Sequence, residues 1–451
     1  MTARPSTALR ACVIGAGSSG IAATKALLEA GIDVDCFERT DRVGGLWVFR
    51  GTPETARGYP KTAAYRSLHI NTSRRRMQYS DFPMPQSYPD FPSHRDLAAY
   101  FDAYVDHFGF RHRIRFDAEV RRAERLAEGG YAITSRGGAT LRYDFLLVAN
   151  GHHESPSWPD PAFPGSFDGE TLHSHDFVDA SRWAGKRVIV LGMGNSAMDI
   201  ASEASRVSER VFLAARRGAH IIPKHLFGKP IDEIGGLISP TVPFAVRVAA
   251  LRVLVRAVVG KMEAYGLPTP DHRLGEAHPT ISDEVLSRLA HGEITPKPNI
   301  KELRGDSVLF ADGSVERADV LVYCTGYKVT FPFFDVSFIS AHDNDLPLFR
   351  RVFEPSVPDL AFIGLLQPLG AIMPLAEAQG RWVADLMRGR YALPSAEAMR
   401  RDMESERATM FARYVASKRH TMQVDFDDYL HALRIERQQG AARAHAARAS
   451  V

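Results

Sequence analysis

Two glycine loops, each set between an apolar strand and a helix, constrain this chain more than any other feature. GAGSSG occupies residues 15 to 20 and GMGNSA residues 192 to 197. Such a loop works because its glycines permit a tight turn and a close backbone approach, so that a pyrophosphate can rest on the N-terminus of the following helix. The motif alone is a weak signal, and its flanks decide the matter. RACVIGAGSSG, IAATKALLEAG and IDVDCFE, within residues 10 to 38, read as strand, glycine turn, helix and strand. KRVIVLGMGNSAMDIASEASRVSERVFLAARR repeats that plan at residues 186 to 217. The expected fold is therefore α/β, with two Rossmann-like dinucleotide-binding domains.

The residue closing each second strand separates the two nucleotides. Glu38 stands 38 − 15 = 23 positions after Gly15, placed to accept hydrogen bonds from a ribose without a 2′-phosphate, as in FAD. The same count from Gly192 reaches Ala215, and Arg216 and Arg217 follow. No carboxylate stands there to repel a 2′-phosphate and two guanidiniums are available to bind one, which favours NADPH over NADH. Gly15, Ala16, Gly17, Ser18, Ser19 and Gly20 are thus assigned to the FAD side, and Gly192, Gly194, Asn195, Ser196 and Ala197 to the NADP side. Ala197 stands where the pattern often has glycine, and a methyl group is tolerated there. Asp199, one turn into the second helix, either orients the loop or caps local backbone groups. Leu46 and Trp47 of VGGLW are placed to cover a flat ring system, a core tryptophan being the alternative reading.

A chain of 451 residues is too long for one simple core. SVLFADG and ADVLVYCTGY, from about 303 onward, resemble the end of the first domain, so the NADP domain reads as inserted in a discontinuous FAD domain. The expected boundaries are 1–163 and 303–435 for the FAD domain and 164–302 for the NADP domain. The alanine- and arginine-rich stretch 436–451 is expected to be disordered, and residues 1 to 9 read as a loose leader. Residues 40 to 95 suggest a long ordered loop region, and RDLAAYFDAYVDHFGF at 95 to 110 an amphipathic helix.

Net charge of +3 gives no argument for a nucleic-acid partner, and Arg74, Arg75 and Arg76 need local reasons. Cys12, Cys36 and Cys324 fall in apolar runs without CxxC spacing and read as reduced core thiols. Neither His173 with His175 nor His152 with His153 is joined by a cysteine or acidic set, so no metal is expected. Arg247, Arg252 and Arg256 interrupt the apolar stretch 242 to 262, which therefore reads as a packed helix near a substrate entrance or a subunit contact, with no membrane span.

FDGETLHSHDF, between the loops, supplies FxGxxxHxxx(Y/F) as Phe167, Gly169, His173 and Phe177. With CVIGAGSSG, CFERTDRVGGLW, NTSRRRMQYSDFPMP, VIVLGMGNSAMDIASEAS, VYCTGY and GLLQPLGAIMPLAEAQGRW, it makes the chain resemble the flavin-containing monooxygenase family over residues 11 to 382. These are the dimethylaniline monooxygenase-like, class B flavoprotein monooxygenases. The resemblance implies FAD and NADPH, and dioxygen held as a flavin C4a-hydroperoxide that bound NADP+ shields. It implies that Asn71 holds the nicotinamide ribose and that hydroperoxide, that Thr72 beside it lines the cofactor site, and that Gln367 contacts the flavin. It casts His173 as a support of the inter-domain linker that helps position NADPH, and Thr325 and Gly326 as fixing a domain connection.

A Baeyer-Villiger fingerprint would carry Trp at the position of Phe177, and some ketone-oxidising relatives carry His at that of Asn71. The expected reaction is therefore N- or S-oxygenation of a small-molecule amine or sulfide. The alternatives are Baeyer-Villiger oxygenation of ketones or aldehydes and a nucleotide-sensing flavoprotein without turnover. The family's membrane-bound members carry a C-terminal hydrophobic anchor that is not found here, so a cytoplasmic enzyme is expected, with a homodimer as its assembly.

Overall fold

Ala11, Cys12, Val13 and Ile14 are buried in succession rather than alternately, the mark of a strand covered on both faces of a parallel sheet. The structure is a computed structural model that describes residues 9–138, 140–236, 244–413 and 422–449. It divides into two compact units. The first comprises residues up to 48, 74–152 and 329 onward. It opens with β1 (Arg10–Ile14), α1 (Ser18–Glu29) and β2 (Asp33–Phe37). The two strands run parallel, from Arg10 opposite Asp33 to Ile14 opposite Phe37.

The amphipathic segment forms α2 (His94–His107), started by a capping box in which Ser93 and Asp96 bond reciprocally. Its apolar stripe is core, as Leu97, Phe101, Tyr104 and Val105 are buried. The short strand β3 (Ile114–Arg115) pairs with β2. An antiparallel three-stranded sheet over Val120–Arg125, Tyr131–Ser135 and Thr140–Tyr143 precedes β4 (Phe145–Val148), which pairs with β1.

The second unit holds residues 49–73 and 153–328. Its elements are β5 (Glu170–His173), β6 (Arg187–Leu191), α3 (Asn195–Ala204), β7 (Arg210–Ala214), β8 (Ile294–Lys297) and β9 (Val320–Tyr323). They build a parallel sheet in the order β5-β9-β6-β7-β8. Here the boundaries differ from the expected ones. The strand of VLVYCTGY lies inside this sheet, Val320 opposite Val188 and Tyr323 opposite Leu191, and the chain rejoins the first unit at 329 rather than near 303. All four β9 residues are buried, and such a strand reads alike for either sheet. The unit also starts at 153 rather than 164 and recruits 49–73. The apolar stretch after 242 forms the helix Phe244–Val259, and no helix among the described residues is long and apolar enough to cross a membrane.

Back in the first unit, β10 (Leu360–Phe362) pairs with β4 and completes the order β10-β4-β1-β2-β3. The helix α4 (Met373–Met387) crosses α1 closely, since a Cβ on Gly380 would lie 2.9 Å from the Ala23 Cα. Of the expected disordered tail, residues 450 and 451 lie outside the described residues, and residues 436–449 instead form the second half of α5 (Phe426–Ala449). Its composition misleads because small residues, Gly440 and Ala444, form its buried face, while Glu436 accepts a hydrogen bond from the Tyr391 hydroxyl at 2.7 Å. Of the expected leader, residues 1 to 9, all but the exposed Leu9 lie outside the described residues.

Candidate cofactor sites

The first glycine loop leaves β1 through Gly15, whose φ of +100° belongs to glycine and whose Cβ would fall 2.6 Å from the Ala149 carbonyl oxygen. A Cβ on Gly20 would fall 1.7 Å from the Gly15 carbonyl oxygen, so the helix meets the turn too closely for any side chain. Gly17 differs, its nearest neighbour being the Gly45 Cα at 3.8 Å. It caps α1 with no side-chain hydrogen bond and no acid in the first turn. The leading amides of the helix are therefore offered to an anion over an open cradle, and a pyrophosphate fits that donor set.

Glu38 is buried, and its carboxylate braces the turn itself. Oε2 accepts the Ala16 amide at 2.8 Å, while Oε1 accepts the Thr40 amide and hydroxyl at 3.0 and 2.9 Å. Oε1 is thereby filled, and Oε2 has a lone pair to spare for a ribose hydroxyl. VGGLW folds against the same loop, the Gly44 amide donating to the Ala16 carbonyl at 3.0 Å, and Leu46 and Trp47 lie half-buried in the turn Gly45–Trp47. Gln367 stands half-buried in the strand Gln367–Leu369, in register with Gln423. Ser18 and Ser19 are held by residues that sequence reasoning passed over. The Tyr79 hydroxyl donates to the Ser18 carbonyl at 2.6 Å, and a Cβ on Gly364 would lie 2.0 Å from the Ser19 Oγ. Gly364 is in turn fixed by the buried Gln379, whose Oε1 accepts its amide at 2.8 Å. The available signal was PLAEAQGRW, which contains Gln379.

In the second unit Gly192, with φ +143°, passes the Cys324 carbonyl so closely that a Cβ would fall 2.5 Å from its oxygen. Gly194 caps α3, again with no side-chain bond and no acid in the first turn. Asn195 is engaged in bracing the loop, its Oδ1 accepting the Ile281 amide at 2.8 Å, and Thr280 donates to the Met193 carbonyl at 2.5 Å. Ser196 is half-buried and Ala197 fully buried. Asp199 caps no backbone group among the described residues, and its Oδ2 accepts from the Tyr65 hydroxyl. Arg216 and Arg217 are both exposed beyond β7, but they differ. Arg217 Nε pairs with Asp271 Oδ2 at 2.8 Å, whereas Arg216 makes no ion pair among the described residues.

Asn71 and Thr72 belong to the second unit, on the segment 49–73. The Asn71 Oδ1 is buried without a hydrogen-bond partner among the described residues, an acceptor left open. The fingerprint also lies entirely in this unit. His173 is fully buried, its Nδ1 accepts the His175 amide at 3.1 Å, and burial pushes its imidazole down to about 4. At neutral pH it is an uncharged brace. Phe177, fully buried, packs against Tyr65 and Trp183 with ring centres 5.7 and 5.3 Å away. Thr325 donates to the Ser157 carbonyl at 2.5 Å, and Gly326 accepts the Ser157 amide at 2.9 Å, so CTGY clamps the segment entering the unit. Burial raises the thiols of Cys12, Cys36 and Cys324, Cys36 to about 12, which leaves them unreactive at neutral pH. No cluster of metal-binding side chains occurs among the described residues.

Two parallel sheets, each with an uncapped helix behind a glycine turn, one followed by a carboxylate and the other by arginines, define a two-dinucleotide oxidoreductase. Residues 8–439 match the family model for flavin-binding monooxygenase-like proteins, and the chain belongs to that family. It is 37% identical over 438 residues to flavin-containing monooxygenase 5 of Oryctolagus cuniculus, covering 92% of this chain and 80% of that protein. To dimethylaniline monooxygenase [N-oxide-forming] 2 of Mus musculus it is 34% identical, with 95% and 82% covered. The fold is that of the S-allyl-L-cysteine S-oxygenase from Allium sativum, with a TM-score of 0.72, 24% identity and coverage of 98% and 94%. The protein is an FAD- and NADPH-dependent flavin monooxygenase.

Proposed function

We propose that this enzyme oxygenates soft nitrogen or sulfur centres of small molecules, with FAD on the first unit and NADPH on the second. NADPH, a proton, dioxygen and substrate give NADP+, water and the N-oxide or S-oxide. When bound, the flavin supplies the activation of dioxygen after reduction by NADPH. The chain's own residues orient and exclude. The amides of Ser18, Ser19 and Gly20 take one pyrophosphate and those of Asn195 and Ser196 the other, the Ala197 amide being bonded to the Gly194 carbonyl at 3.0 Å. Glu38 braces the first loop and faces the ribose, Leu46, Trp47 and Gln367 pack the flavin, and Arg216 takes the 2′-phosphate.

The observation that carries the reading is the buried, unpartnered Asn71 Oδ1 on the same unit as the second glycine loop. An amide there accepts from a ribose hydroxyl and adds no acid that would promote loss of peroxide. A nucleophile with a free electron pair needs no general base, and His173, neutral and enclosed, supplies none. Phe177 packed between Tyr65 and Trp183 supports amine or sulfide over ketone chemistry, since the ketone-oxidising fingerprint has Trp in its place.

The test is product analysis with NADPH and air on N,N-dimethylaniline, methyl phenyl sulfide and cyclohexanone in competition. N-oxide and sulfoxide are expected, and a lactone as main product would overturn the reading. A cytoplasmic homodimer completes the proposal. The three free cysteines support a reducing compartment, and cell fractionation and sedimentation of the purified protein check both parts.

A further inference from the structure

The segment carrying Asn71 is bolted to the rest of the second unit from Lys61 to Ser73. Lys61 Nζ donates to the carbonyls of His175 and Phe177, the latter at 3.0 Å, and burial pushes its amine down to about 8. Arg66 Nε pairs with Asp179 at 2.9 Å, and its amide donates to the Val178 carbonyl, also at 2.9 Å. Lys224 Nζ reaches the Ile70 carbonyl at 3.4 Å, and the Ser73 amide donates to Asp232 at 2.7 Å. Asn71 is bracketed by these last two bonds.

Two of the remaining anchors go to a single helix. Tyr65 donates to Asp199 and Ser67 to Glu203, carboxylates four residues apart on one face of α3. That helix begins at the glycine loop assigned to NADPH. Tyr65 is 4% exposed, its ring held by Phe177, so its hydroxyl has one direction to point. Burial raises the Asp199 carboxyl and the Tyr65 hydroxyl lowers it. A half-buried carboxylate and a buried phenol thus each supply what the other lacks, and separating them leaves both unsatisfied.

We propose that Tyr65 and Asp199 form a positioning clasp that indexes Asn71 to the second glycine loop, so that the amide and the bound nicotinamide nucleotide keep one register. The proposal rests on the reading of Asn71 given above. Neither clasp residue is a catalytic residue, because each acts through the segment it holds. Ser67, Lys61 and Arg66 keep the segment attached when the clasp is cut, which makes the expected defect one of placement rather than of folding.

Two measurements on the full-length holoenzyme test this: the fraction of NADPH oxidation that ends as hydrogen peroxide instead of product, and amide hydrogen exchange over residues 66–73. Tyr65→Phe removes one oxygen from a buried ring. The expected result is retained FAD, a peroxide fraction raised about five-fold, and faster exchange in 66–73. Asp199→Leu should do the same, and the double variant should be no worse than either single one, since both break one bond. Asp199→Asn keeps an acceptor for the phenol and should restore most of the coupling. Additive effects of the two single variants, or unchanged exchange and peroxide fraction in Tyr65→Phe, would overturn the clasp. Asn71→Ala separates the two levels. If it leaves the peroxide fraction unchanged, the reading of Asn71 fails, and the exchange data still decide whether the clasp holds the segment. If it uncouples while Tyr65→Phe does not, the clasp alone is wrong.

Discussion

Arg216 and Arg217 are adjacent and chemically identical, yet the structure gives them different work. Asp271 has claimed Arg217 and is itself held from the other side, its Oδ1 lying 2.9 Å from the His272 Nδ1. Among the described residues nothing pairs with the Arg216 guanidinium. For a free arginine, binding a phosphate forms new charge-assisted hydrogen bonds, whereas a paired one must share or exchange its partner. Arg216→Ala should therefore weaken 2′,5′-ADP binding about ten-fold or more, and Arg217→Ala only about two-fold. Asp271→Asn, by freeing Arg217 and removing a repelling carboxylate, should tighten it. Isothermal titration at fixed ionic strength reads all three, with 5′-ADP as the control that lacks the distinguishing phosphate. Equal losses at the two arginines would refute the distinction. The pair of arginines was legible in the sequence from its count after Gly192, but its asymmetry was not. Asp271 arrives 271 − 217 = 54 residues later, and no local pattern announces a partner from so far along the chain. The same holds for Asp199, whose partner Tyr65 precedes it by 199 − 65 = 134 residues.

At the scale of elements, periodicity and glycine placement revealed both strand-turn-helix units and the amphipathic helix after Ser93, because each rests on contacts between near neighbours. They could not assign β9, since a strand buried on both faces carries no mark of which sheet receives it. They also misjudged the second half of α5, where the buried residues are Glu436, Gly440 and Ala444 and the large apolar ones, Phe426, Tyr429 and Leu433, all come before it. Small residues do similar work where α4 meets α1. Gly380 lets the two helices approach until its missing Cβ would touch the Ala23 backbone at 2.9 Å and the Ala26 methyl at 3.4 Å. The helix pushed aside by a larger residue is the one whose N-terminus is proposed to hold FAD, while Gln379, the preceding residue, fixes Gly364 beside Ser19. Gly380→Val should thus cost about 1–3 kcal/mol by overpacking and lower the flavin bound at purification. Thermal unfolding and the ratio of flavin to protein absorbance measure the two effects. A variant as stable and as fully flavinated as the parent would show that this crossing does not position α1.

At the scale of the whole molecule, the two units are each made from their own residues. The parallel sheet β10-β4-β1-β2-β3 draws every strand from the first unit, and β5-β9-β6-β7-β8 every strand from the second. The buried apolar cluster around Val188, Val320 and Val285 belongs to the second unit alone, and that around Leu146, Phe362 and Tyr131 to the first. A ligand bound by the native form of one unit stabilises that unit by RT ln(1 + [L]/Kd), about 2.7 kcal/mol at a hundred times Kd. FAD and 2′,5′-ADP should then act on different parts of the thermogram. Calorimetry of the flavin-free protein should show two transitions, with FAD raising one midpoint and 2′,5′-ADP the other. The Asn71 segment should follow the second, because residues 49–73 belong to that unit. Hydrogen exchange at the temperature between the two midpoints would read this directly, with residues 61–73 still protected while β1 and α1 exchange, or the reverse if the NADP-side unit melts first. One transition, moved equally by both ligands, would mean that the two units unfold as a single cooperative body despite their separate sheets. Protection of 61–73 that tracked α1 rather than α3 would place the segment with the wrong unit and remove the basis for reading Asn71 as a residue of the nicotinamide side.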